Sequence, residues 1–207
     1  AIYDTEKRKV LLLRDHQGIK PLYYYAEKGT FLFSSEQKGI IAALKEKGIA
    51  IDLDRTALNF YSALGYIPSP HSLYKGVRKL EKKSYLEYDL ARSGVASIGK
   101  YEISHKEVKS EKEYMALIEK KVLDHLIADV PVGVFFSGGT DSTLIAAILH
   151  KHGVNLETFS IKLDYKTDDA KYFKSISDHL KLQSHVFTFD IPELESVYEE
   201  VMSKIDE

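Results

Sequence analysis

No cysteine occurs anywhere in the 207 residues. Disulfides, thiolate metal sites and cysteine nucleophiles are therefore excluded within this stretch, and the absence fits a reducing, cytoplasmic setting. Long hydrophobic runs are missing too: the longest apolar stretches are far too short to span a bilayer. No basic field is present, because the formal net charge is −2, so neither a nucleic acid nor an anionic membrane is the expected partner. No secretory signal is visible, and neither is a starting methionine. The opening Ala1-Ile2-Tyr3-Asp4 reads as the inside of a strand, so a fragment of a longer chain is expected.

What is present has two textures. Residues 1–35 read as an antiparallel meander: "AIYD" and "KVLLLRD", a turn at "HQGIKP", then "LYYYAE" and "TFLFSSE". Apolar residues on both faces of several of these strands predict a sheet covered on both sides. "QKGIIAALKEKG" predicts a short helix closed by Gly48, and residues 54–64 a second helix capped by Asp54. "YIPSPHSLYKG" reads as a loop, because Pro68 and Pro70 suit neither a helix interior nor a central strand. "SYLEYDL" and "VASIGKYEI" predict a hairpin, and "SHKEVKS" a linker.

Beyond the linker, Ser110 and Glu113 have capping-box spacing ahead of a helix with Tyr114, Leu117, Ile118, Val122 and Leu126 at helical intervals. Then come strand "VPVGVFF", helix 142–151, strand "ETFSIKL", helix 169–181, strand "SHVFTFD" and helix 192–205. Strands alternating with helices of this length signal βαβ units around a parallel sheet. The fold class expected is α/β plus α+β: a β-rich part over residues 1–106 and the start of a doubly wound parallel domain over 107–207.

The chemistry is expected at Ser137-Gly138-Gly139-Thr140-Asp141-Ser142, which ends a strand and opens a helix. Ligands gather at the carboxyl ends of parallel strands. The first N–H groups of the helix are free and its dipole is positive there. Gly138 and Gly139 allow close approach of an anion to the backbone, and Ser137, Thr140 and Ser142 add hydroxyls. The common P-loop lysine does not follow the glycines. Charge on a polyphosphate must then be balanced by Mg²⁺, for which Asp141 is the candidate ligand, and by lysines elsewhere. The plainer alternatives are a tight turn for the glycines and a helix cap for Asp141.

"DVPVGVFF" followed by "SGGTDS" resembles the ATP-pyrophosphatase loop of the asparagine synthetase family. "RDHQGIKPLYY" (14–24) is similar to the end of that family's glutamine amidotransferase domain, and "YIPSPHSLYKGVRKL" (66–80) to the segment that follows it. The resemblance implies an Ntn-type glutaminase remnant followed by an adenine nucleotide alpha hydrolase-like domain. It implies ATP and Mg²⁺ as cofactors, and aspartate, glutamine and ATP as substrates of the whole enzyme. It leaves room for a homodimer. Phe136, Ser137, Gly138, Gly139, Thr140, Asp141, Ser142 and Ile161 would lie against ATP, with Asp141 on the metal. Phe136 stands where the family has Leu beside the adenine, and Lys162 where it often has Gly. Asp168-Asp169 resembles an Asp-Glu pair at the start of the next helix, although first-turn acidic residues also complement a helix dipole. "EKK" (81–83) stands where the family favours a Pro-Gly turn. The family's nucleophilic N-terminal cysteine has no counterpart, so no glutaminase catalytic residue is expected here, and these 207 residues alone are expected to be inactive.

Other readings remain at this point. A relative acting on another carboxylate, such as a β-lactam synthetase, would carry the same loop. A nucleotide-binding module without catalysis would as well. His150 and His152 read as favourable charge at a helix C-terminus rather than as a metal site, and "EKKSYLEYD" as a solvated face.

Overall fold

The computed structural model describes residues 1–104, 107–163, 169–189 and 191–205. The chain divides into two units, the first taking in Ala1–Ser104 and the second ending at Val201.

In the first unit, β1 (Ile2–Asp4) and β2 (Lys9–Arg14) form an antiparallel hairpin whose turn is held by the Asp4 carboxylate accepting from the Lys7 amide at 2.9 Å. β2 continues antiparallel onto β6 (Ser84–Asp89), and β6 onto β7 (Gly94–Lys100). A second sheet has the order β4-β3-β5, from β3 (Tyr23–Glu27), β4 (Thr30–Ser34) and β5 (Val77–Lys79). The period-2 alternation of strands decides what packs where. Tyr24 turns toward Leu12, Leu80, Leu86 and Tyr88, between the two sheets. Tyr23 and Tyr25 turn the other way, onto Ile40, Ile41 and Leu44 of α1 (Gln37–Glu46).

The expected double covering is thus realised at β3, where all three tyrosines are buried. In the other sheet it is not, and Ile2 of β1 and Leu13 of β2 are exposed. β6 also differs from the expected solvated face: Ser84, Leu86 and Tyr88 are buried, and only the alternate positions meet water. β5 lies inside the segment that ends the proline loop.

Helix ends follow local chemistry. Gly48 takes φ +67° beyond α1, and α2 (Arg55–Leu64) begins where Asp54 accepts from the Thr56 and Ala57 amides at 2.8 and 3.4 Å.

The second unit starts with α3 (Glu111–Asp124), whose Glu113 amide donates to Ser110 Oγ at 3.2 Å. A parallel three-stranded sheet follows in the order β10-β9-β8, from β8 (Gly133–Phe135), β9 (Glu157–Leu163) and β10 (Gln183–Phe189). α4 (Thr140–Lys151) and α5 (Asp169–Leu180) are the crossovers, and α6 (Ile191–Lys204) follows β10. Phe136, Ala146, Leu149 and Leu156 form the core, packed by Val122 of α3, Leu126 in the turn after it and Ile176 of α5. Thr158 and Ser160 of β9 are buried, whereas Phe135, Ile161 and Phe187, which alternation and register place on the opposite face, are exposed. Among the described residues no helix is long and apolar enough to cross a membrane. The fold is mixed α/β, with antiparallel sheets first and a parallel sheet after them.

Candidate functional site

The backbone at the end of β8 builds the loop. Phe136 extends the β8–β9 ladder by one hydrogen bond, its amide donating to the Phe159 carbonyl at 2.8 Å. Its own carbonyl accepts from Ser160 Oγ at 2.6 Å. The chain then leaves the sheet. Gly138 takes φ +75°, in the left-handed region that favours glycine. Gly139 is the extended N-cap of α4.

Two side chains lock this turn. Ser137 Oγ accepts from the Gly139 amide at 3.3 Å and lies 3.2 Å from Ser142 Oγ. Ser142 Oγ also donates to the Gly139 carbonyl at 3.2 Å. Among the described residues, the amides of Gly138, Thr140, Asp141 and Ser142 donate to no protein acceptor. Thr140 and Asp141 are exposed. Among the described residues, an added Cβ at Gly139 would meet only Ser137 Oγ, at 3.3 Å. Free N–H groups at the positive end of a helix of this length can hold phosphate oxygens.

Each expected site residue can now be placed. Ser137, Gly138, Gly139, Thr140, Asp141 and Ser142 lie together in the turn and first helical turn. Ile161 lies on β9; the 24-residue offset between Ser160 and Phe136 brings it level with Ser137, and its side chain is exposed. Phe136 departs from expectation. Its ring is 2% exposed and sits in the core with Ala146, Leu149 and Leu156, so it presents no face to a base. Its strand parity turns it inward, toward α4. Phe135, one residue earlier, is the exposed ring. Asp168 lies outside the described residues, and Asp169 is the first residue of α5.

Two residues escape sequence reasoning. Ser160, a buried hydroxyl in "TFSIKL", ties β9 to the residue before the loop. Thr143, one turn before Ala146, has a buried Oγ1 without a hydrogen-bond partner among the described residues. The only signal either leaves in the sequence is a small polar side chain at an inward-facing position.

At the far end of α4, Glu119 of α3 receives Lys151 Nζ at 2.6 Å and lies 3.0 Å from His152 Nε2. Lys151 first, then His152, hold its carboxyl below the ordinary range. The histidine at this helix end thus serves a carboxylate. No cluster of three or more metal-ligating side chains occurs among the described residues. An apolar cavity of about 610 Å³ between α3 and β8 is lined by Leu117, Val122, Leu126, Val134 and Leu149. Lys121 and His125 also line it, and among the described residues none of Ser137–Ser142 does.

Two halves, a glutamine amidotransferase segment and a synthetase segment, define the class. Residues 1–101 match the glutamine amidotransferase domain family, and residues 113–207 match the asparagine synthase family. A Methanocaldococcus jannaschii protein provisionally named glutamine-hydrolysing asparagine synthetase 2 is 35% identical over 99% of this chain and 40% of its own length. Glutamine-hydrolysing asparagine synthetase 3 of Bacillus subtilis is 32% identical over 84% of this chain and 29% of its own. Asparagine synthetase B of Escherichia coli is 27% identical over 93% of this chain and 32% of its own. The chain belongs to the asparagine synthetase family. It spans 40% or less of the length of these relatives. Among solved structures, NMN synthetase from Francisella tularensis aligns at a TM-score of 0.38 with 20% identity, over 46% of this chain and 41% of that one.

Proposed function

We propose that this chain is the central part of a glutamine-hydrolysing asparagine synthetase. In this reading residues 1–106 close an Ntn-type glutaminase domain and connect it onward. Residues 107–207 open the ATP-pyrophosphatase domain of a cytoplasmic ligase. The observation that carries the reading is the loop between β8 and α4, whose amides at Gly138, Thr140, Asp141 and Ser142 have no acceptor among the described residues.

The reaction has two steps. The side-chain carboxylate of aspartate attacks the α-phosphorus of ATP, the bond to the bridging oxygen breaks, and pyrophosphate leaves with the electron pair. Ammonia from glutamine then attacks the acyl carbon of the aspartyl-adenylate, giving asparagine and AMP. The loop acts on the first step. Its free amides would meet the β- and γ-phosphate oxygens, where negative charge grows as the bond breaks, while the Ser137 and Ser142 hydroxyls hold the turn. The hydrogen bonds among Ser137, Gly139 and Ser142 hold that geometry before ATP arrives. Mg²⁺ fits the same place: Asp141 is an exposed carboxylate in the first turn of α4, and magnesium is commonly held by one or two carboxylates together with substrate phosphates. When bound it supplies charge neutralisation. Ile161 lies level with the start of the loop, where its backbone can meet the adenine edge.

In the full-length protein, Asp141→Ala is expected to remove aspartate-dependent pyrophosphate release while glutamine hydrolysis continues. Pyrophosphate release at the unchanged rate in that variant overturns the reading.

A further inference from the structure

The loop contains no cation of its own: Ser137–Ser142 has hydroxyls, glycines and one carboxylate. One lies at the carboxyl end of the neighbouring strand. Lys162 lies on β9, and strand alternation puts its side chain on the same sheet face as Thr158 and Ser160, the face packed by helices. Ser160 reaches the Phe136 carbonyl with an offset of 24 residues. Lys162 lies two residues further along β9 than Ser160, past the point where the neighbouring chain leaves the sheet toward Gly138, the left-handed residue of the turn. That is about 6.6 Å along the strand beyond the Ser160 tie, at the edge where the loop begins.

Its surroundings are electrically unusual. Lys162 is half-buried, yet among the described residues no carboxylate is within ion-pair distance of it. The N-terminus of α4, with its unpaired amides, presents partial positive charge to the same edge. A lysine is poorly placed beside the positive end of a helix unless an anion lies between them. Its β10 neighbour in the ladder is Thr188, which brings no charge. Asp141 is the acidic residue in the first turn of α4, and it is exposed.

We infer that Lys162 is a phosphate-contacting residue, supplying from β9 the cation that the glycine loop lacks. The inference rests on the proposed nucleotide reading of the loop and assigns it a further ligand-binding side chain. Pyrophosphate and the phosphate chain of ATP would lie between the Lys162 ammonium and the amides of Gly138, Thr140, Asp141 and Ser142. A charged donor meeting a charged acceptor is stronger than a neutral pair.

The test is calorimetric titration of the full-length protein with Mg-pyrophosphate, MgATP and adenosine. The proteins compared are wild type, Lys162→Met, Lys162→Gln and Lys162→Arg, with melting midpoints taken without ligand. The expected result is about a tenfold or greater loss of affinity for pyrophosphate and ATP in Lys162→Met and Lys162→Gln. Adenosine binding should be unchanged, and Lys162→Arg should retain most of the affinity. Lys162→Gln keeps a polar side chain and serves if Lys162→Met fails to fold. If wild type binds ATP and a folded charge-removing variant binds it equally well, Lys162 has no part in phosphate binding while the loop reading survives. An equal loss for adenosine and pyrophosphate makes Lys162 structural and also overturns the inference. If wild type binds neither ATP nor pyrophosphate, the nucleotide reading of the loop fails and this inference fails with it.

Discussion

Ser160 Oγ donates a 2.6 Å hydrogen bond to the carbonyl of Phe136, across the boundary between β9 and the last residue before the glycine turn. Both residues are buried, so no water is at hand to replace that bond. Ser160→Ala leaves the carbonyl with one partner fewer in a dry place. The expected cost is about 1–3 kcal/mol, read from the urea midpoint at unchanged m-value. A second effect should accompany it. ATP affinity should fall, because the turn loses its anchor to the neighbouring strand. Unchanged stability would show that the bond is not formed in solution.

Acid sensitivity is expected at the turn after β2. Asp15 accepts from the amides of Gln17, Gly18, Ile19 and Lys20 at 2.7–3.3 Å. Burial pushes its carboxyl up, the four amides pull it down, and the net result lies below the ordinary value. A carboxyl lowered by folding contributes stability above its unfolded pKa, and that contribution is lost as pH falls through the lower folded value. Wild type should therefore exceed Asp15→Asn in stability at pH 7, and the gap should narrow once the pH falls below about 3.9, the ordinary aspartate value. Denaturant midpoints at the two pH values check this. A gap that stays constant with pH would assign the effect to shape rather than charge.

The turn before β6 offers an improvement. Lys83 holds φ +59°, which costs a residue with a Cβ roughly 1–2 kcal/mol. Its backbone is committed there: its amide donates to the Asp15 carbonyl at 2.9 Å and its carbonyl accepts from the Tyr101 amide at 3.2 Å. Lys83→Gly keeps both bonds and relieves the strain. It also removes an ion pair to Glu102, which is 92% exposed and contributes little. The expected result is a net gain of up to about 1 kcal/mol, visible as a higher midpoint in urea. A lower midpoint would show that the lysine side chain contributes more than the turn strains.

Much of this fold was legible because its signals are local. Alternation in "ETFSIKL" predicts β9 over 157–163 as observed, and Asp54 and Gly48 mark helix ends through chemistry confined to a few residues. β5 was not legible: it has three residues, and only pairing with β3 makes it a strand. β8 is shorter than "VPVGVFF" predicts, because ladder pairing with β9 begins at Gly133. The members of the turn were readable from their types and order. The Ser160 anchor was not, since a buried serine and a surface serine look alike in sequence, and neither was the inward direction of the Phe136 ring, which depends on where the ladder starts. The turn at Lys83 lies where the expected glycine is absent, and the backbone adopts the left-handed conformation regardless.

The burial of three consecutive tyrosines in β3 makes that strand a party wall between two separately packed compartments. Tyr23 and Tyr25 belong to the one beneath α1, Tyr24 to the one between the sheets. Trimming either side must move a backbone that the other side also leans on, so neither compartment can relax alone. Melting of α1 and parting of the sheets should consequently occur as one event, with the amide protons of β3 among the last in this unit to exchange with solvent.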